Sequence, residues 1–146
     1  MAMVRYIILT TLLFALTACH RTSCFKEVFG LDIAPSMKIL HERCHIEDDG
    51  SSAKVIYFAK ISIKDNNATL LAELLNLRQS EGFNGIVPSC ASCGNWWDIP
   101  TPDVQSKIKN RFSAVRGKLS INCIQYGQSV YLAAQGIKPV ISTVPK

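Results

Sequence analysis

Two cysteines three residues apart, in Cys90-Ala91-Ser92-Cys93, are the residues of this chain most suited to chemistry by type and spacing. A C-x-x-C pair serves three kinds. It exchanges disulfides when its first cysteine sits at a helix N-terminus, where a lowered pKa supplies thiolate. It forms half of a zinc site when two further nitrogen or sulfur ligands join it; His41, Cys44 and His45 are of the right type. In an oxidising compartment it closes as a structural bridge. The surroundings favour the bridge: Pro88 precedes the pair, Gly94 follows it, and no strand leads straight into it. No metal or cofactor is expected. No G-x-S-x-G, H-E-x-x-H or phosphate loop is present, and no enzyme is expected.

A further candidate site lies at the N-terminus. Arg5 is followed by an apolar run from Tyr6 to Leu16, then by Thr17-Ala18-Cys19. A basic start, a short apolar stretch and small residues have the order of an export signal, and the run is too short to span a bilayer. Leu16-Thr17-Ala18-Cys19 looks like a bacterial lipobox. That likeness implies cleavage between Ala18 and Cys19, with residues 1–18 removed. It also implies an S-diacylglycerol and an N-palmitoyl group on Cys19. Residues 19–23 then form a tether, and 24–146 one periplasmic domain held by membrane lipid. The lipoprotein processing and sorting machinery are implied partners. His20 after the lipidated cysteine points to the outer membrane of a Gram-negative envelope. The basic pair His20-Arg21 beside anionic headgroups leaves inner-membrane retention open.

With Cys19 assigned to lipid, five of the six cysteines remain: Cys24, Cys44, Cys90, Cys93 and Cys123. An odd number cannot all pair within one chain, so at least one is free or pairs between molecules.

Asn95-Trp96-Trp97-Asp98-Ile99-Pro100 follows the C-x-x-C. Adjacent Trp residues in a Pro-flanked loop suggest one packed on the body and one partly exposed, as at binding surfaces. Charge is also uneven. After Asp103 there is no acid, while Lys107, Lys109, Arg111, Arg116, Lys118, Lys138 and Lys146 are basic. Trp96, Trp97, Lys107 and Arg111 are therefore the expected partner surface, facing an envelope protein and not nucleic acid.

Several elements must position these groups. Cys24, Phe25, Val28 and Phe29 predict a short helix stopped by Gly30. Residues 37–47 and 54–63 predict a hairpin around Asp48-Asp49-Gly50-Ser51-Ser52. Asp65-Asn66-Asn67 caps a helix with Leu70, Leu71, Leu74 and Leu75 on one face, running on past Arg78 to end before Gly82. Residues 81–100 form a long loop. Thr101-Pro102-Asp103 starts a helix whose stripe of Val104, Ile108, Phe112 and Val115 ends at Gly117. Leu119–Tyr126 and Ser129–Ala134 predict a second hairpin around Gly127-Gln128, followed by an irregular or edge tail. The sum is an α+β domain: a four-stranded antiparallel sheet with two to three helices on one face.

With its lipobox and its Trp-Trp-Asp-Ile-Pro loop before a helix and hairpin, the chain resembles small, prophage-type membrane lipoproteins of enterobacteria. The resemblance implies address and architecture and no active site. The expected function is a non-enzymatic, envelope-related accessory role. Overproduction is then expected to load lipoprotein sorting and to induce envelope-stress signalling and periplasmic protease. The alternatives are a thiol–disulfide protein using Cys90 and Cys93, and an immunity lipoprotein against phage or toxin.

Overall fold

The computed structural model of the chain describes residues 23–139. The signal, the Ala18–Cys19 cleavage site and His20 lie outside the described residues.

Among the described residues six antiparallel strands make one sheet: β1 (Met37–Asp48), β2 (Ser52–Ile63), β3 (Arg78–Gln79), β4 (Arg111–Arg116), β5 (Lys118–Tyr126) and β6 (Ser129–Pro139). Their spatial order is β1-β2-β6-β5-β4-β3. The helices are α1 (Cys24–Phe29), α2 (Ala68–Leu74) and the single turn α3 (Pro102–Gln105). The expected four-stranded sheet is thus corrected to six strands, and the domain is mostly β.

The main correction lies at 102–116. Thr101 and Pro102 do start a helix, but it lasts one turn. The chain then turns and enters β4, where Phe112 and Ala114 face the core. The expected helical stripe does not exist, since Val104 is 46% exposed and Val115 75%. Gly117 does not end a helix. At φ 62° it turns the β4–β5 hairpin, as Gly127 at φ 60° turns β5–β6. The helix expected to run past Arg78 ends at Leu74, and Arg78–Gln79 pairs with β4 as an edge strand. Nor is the last strand an edge or irregular tail. β6 continues through Gly136 to Pro139, hydrogen-bonded between β2 and β5.

The first hairpin forms where its turn residues fall. Asp49 accepts hydrogen bonds from the backbone N–H groups of Ser51 and Ser52 and from both hydroxyls. These bonds hold its carboxyl at a pKa of about 2, led by the Ser52 backbone. The alternation of β1 breaks at a bulge between Ile39 and His41. Before it Met37 and Ile39 face the core; after it Cys44 and Ile46 do.

The two sheet faces are covered differently. α1 and α2 lie on one. Phe25, Val28, Leu71 and Leu75 from these segments meet Tyr57, Ile61, Ile121 and Leu132 of the sheet in the main core. Ser23 caps α1 and Asn67 caps α2, each accepting from a backbone N–H of the first turn. On the other face a second core, around Phe58, Ile124 and Tyr131, is covered by the loop between β3 and β4.

Candidate functional site

The loop from residue 80 to residue 110 is a fitted lid over the second face. Its anchors are polar groups that reach out of order in sequence. Gln105 is buried, and its amide exchanges two hydrogen bonds with the backbone of Val87, at 2.9 and 3.0 Å, and donates a third to Pro100 O. Arg111 is 4% exposed; its guanidinium donates to Gly82 O at 2.6 Å, Ile108 O at 3.0 Å and Ser80 O at 3.3 Å. A planar five-donor fork suits such a cage of carbonyls. Arg111 was expected on the partner surface beside Lys107. Lys107 is exposed, whereas Arg111 is turned inward, where its guanidinium ties Ser80, Gly82 and Ile108 of the loop to the start of β4.

Cys90 and Cys93 are bonded to each other, with 5.4 Å between their Cα atoms. The pair spans a turn in which Cys93 N–H donates to Cys90 O, and Cys93 packs into the second core. Cys90 does not stand at an α-helix N-terminus. The companion ligands of a zinc reading are engaged elsewhere. His41 stacks on Trp96, with 5.4 Å between ring centroids, and His45 bonds Glu47 at 2.8 Å. Among the described residues no group of three His, Cys, Asp or Glu side chains is placed to hold a metal ion.

The two tryptophans are both half-buried, with different roles. Trp97 is the inner one. Its ring meets Phe58, Tyr131 and Trp96 edge-on at 5.0–5.5 Å, and its Nε1–H donates to Pro88 O at 3.1 Å. Trp96 lies against β1, where His41 covers one face of its ring. Beside them Asp98 Oδ1 accepts from Lys60 Nζ at 2.8 Å and from the Tyr131 hydroxyl. The Lys60 ammonium also sits 5.3 Å from the centre of the Tyr131 ring. Lys60 first, then Tyr131, lowers the Asp98 pKa, while Asp98 chiefly raises that of Lys60. Burial first, then Asp98, raises that of the Tyr131 phenol.

Next to the lid the far end of β1 and β2 is uncovered. A groove of about 580 Å³ runs there, lined by Arg43, His45, Ile56, Phe58 and Ser92. Its lining is mostly polar, with Glu42 beside Arg43 and His45, and Ile56 and Phe58 supply its apolar part; Arg43 stands exposed at its wall. Gln105, Lys60 and Tyr131 were not anticipated as lid-holding residues; their partners are remote in sequence, so no local signal marks them.

No helix among the described residues is long and apolar enough to cross a membrane. No protein-family model, no curated protein and no solved structure matches this chain.

Proposed function

We propose that this is a lipid-anchored periplasmic domain that docks an envelope protein through its lid face and performs no chemistry of its own. One observation carries the reading: Leu16-Thr17-Ala18-Cys19 closes a short apolar stretch with the order of an export signal, and the first described helix starts at Cys24, five residues after Cys19. Acylation of Cys19 would hold such a domain against the membrane without a spanning helix.

Two features of the lid face support docking. The C-x-x-C, the constellation with an enzymatic alternative, is closed as a turn and packed into a core. Trp96 and His41 form a stacked aromatic plate next to Arg43, and aromatic rings beside arginine are the usual anchors of protein interfaces. A partner offering acidic and apolar groups fits the plate and the groove.

Labelling cells with a palmitate analogue, followed by membrane fractionation and cross-linked pull-down from each fraction, tests the reading. Label on the wild type, none on Cys19→Ala, and a partner lost on Trp96→Ala are expected. An unlabelled protein recovered in the soluble fraction overturns the anchor. A partner retained by Trp96→Ala and Arg43→Ala alike overturns the docking face.

A further inference from the structure

The disulfide arithmetic left open by the sequence closes in the fold. Cys90 and Cys93 are bonded, leaving Cys24, Cys44 and Cys123 among the described residues. These three stand in different surroundings. Cys123 is completely buried in the main core, where burial pushes its thiol up to about 12. Cys24 and Cys44 are partly exposed and pack on the same core.

Their approach follows from the way α1 sits on the sheet. Phe25 of α1 is buried in the main core, and Phe29 meets the edge of Tyr57, with 5.5 Å between ring centroids. Tyr57 is the cross-strand partner of Cys44. Lys138 of β6 donates to Glu27 O at 2.8 Å and fixes the back of the helix. Glu27 of α1 and Ile46 of β1 line the same cavity; Cys24 stands one helical turn before Glu27, and Cys44 two residues before Ile46 on the same strand face, so α1 brings its first residue to β1 beside Cys44. Burial first, then the hydrogen bond with Cys24 and the charges of Glu27 and Glu42, keeps the proton on Cys44.

We infer that Cys24 and Cys44 form a second disulfide, which staples the first helix after the tether to the edge strand of the sheet, and that Cys123 is the unpaired fifth thiol. The bond needs an oxidant, a disulfide-carrying thiol oxidoreductase or a small-molecule disulfide. The Cys24 thiol gives up its proton and attacks a carrier sulfur, breaking the carrier's S–S bond and expelling a carrier thiolate. Cys44 then loses its proton and attacks Cys24 Sγ in the mixed disulfide, forming Cys24–Cys44 and releasing the second carrier thiol. The pair loses two electrons and two protons, and the carrier takes both. Bond formation in the cell rests on the periplasmic reading; the pairing itself does not.

The full chain is oxidised in vitro with glutathione disulfide, denatured, alkylated and mapped by mass spectrometry without reduction. A linked Cys24–Cys44 peptide, with Cys123 alkylated, is expected. Cys24→Ser should leave Cys44 alkylatable and lower Tm by roughly 10 °C, about what a bridge closing a loop of this size contributes. Alkylation of both Cys24 and Cys44 in the oxidised wild type overturns the pairing, as does a link from either one to Cys123. The same mapping on acid-quenched cells separates the two readings. A bond formed in vitro and absent in cells upholds the pairing and overturns the oxidising compartment.

Discussion

Lys60, in the second half of β2, and Asp98, 38 residues further along in the lid, are joined by a 2.8 Å ion pair. It ties the loop to the sheet at the point where the two tryptophans cross it.

This pair makes the lid sensitive to acid. The folded pKa of Asp98 is depressed, so its contribution is present above the ordinary carboxylate value and is lost as pH falls through the folded pKa. That of Lys60 is raised, so its contribution is full below the ordinary lysine value and is lost as pH rises through the folded one. The pair therefore holds across the neutral range. The Asp98 side chain is 59% exposed, so screening limits the effect to about 1 kcal/mol or less. Both tryptophans of the chain are in the lid, which makes intrinsic fluorescence a local probe. A fluorescence change below pH 4 in the wild type, and its absence in Asp98→Asn, is expected. Identical acid titrations of the two proteins would refute this role.

Arg111→Met should destabilise the domain by about 3 kcal/mol. It removes three part-buried hydrogen bonds, to Ser80 O, Gly82 O and Ile108 O, each worth about 1 kcal/mol. Arg111→Lys should recover little, because an ammonium cannot reproduce the planar fork. Lys107→Ala, on the exposed side, should change stability by less than about 0.5 kcal/mol. Urea unfolding of the three variants checks the ranking, and an Arg111→Met midpoint equal to wild type would contradict it.

Gly136 lies at φ 134° in β6, and a Cβ added there would stand 1.9 Å from Lys118 O. The obstacle is the backbone of the neighbouring strand, which cannot rotate aside. Gly136→Ala should cost about 2 kcal/mol or more and reduce the yield of folded protein. A melting temperature unchanged from wild type would show that the β5–β6 ladder shifts freely there.

Overproduction of the wild type is expected to raise a stress-promoter reporter and the level of periplasmic protease, with Cys19→Ala as control. On the proposed anchor the load would fall on lipid processing and sorting, so the lipidation-deficient protein should induce much less. Equal responses from both would assign the effect to the folded domain, against the anchor reading.

The parts of the fold legible in the sequence were those with local causes. Asp48 to Ser52 marks the first turn, Gly127-Gln128 the last, and Asn67 caps a helix, each through groups within three residues. The stretch from Val104 to Val115 misled because an i, i+4 spacing of apolar residues fits a helix whether or not a core faces it. Phe112 is the one member of that set fully buried, and it is buried from a strand. The Gly117-Lys118 turn has the same form as Gly127-Gln128 and was the available signal for β4. At the candidate site, the Trp pair was readable as a loop over the sheet, and the bridge as one fate of the C-x-x-C. The inward turn of Arg111 was not, since its acceptors at Ser80 and Gly82 are set by the path of the chain.

The position of β6 also imposes an order of events in time. The last described strand, β6, lies between β2 and β5, so the two flanking hairpins have no shared ladder until residues 129–139 arrive. A chain emerging N-terminus first can pair β1 with β2 early, yet completes its sheet only when the last strand slots in. Until then the apolar faces of both halves are open to chaperones, to oxidants and to one another. A chain shortened before residue 129 would be two separate fragments of sheet and not a smaller version of this domain.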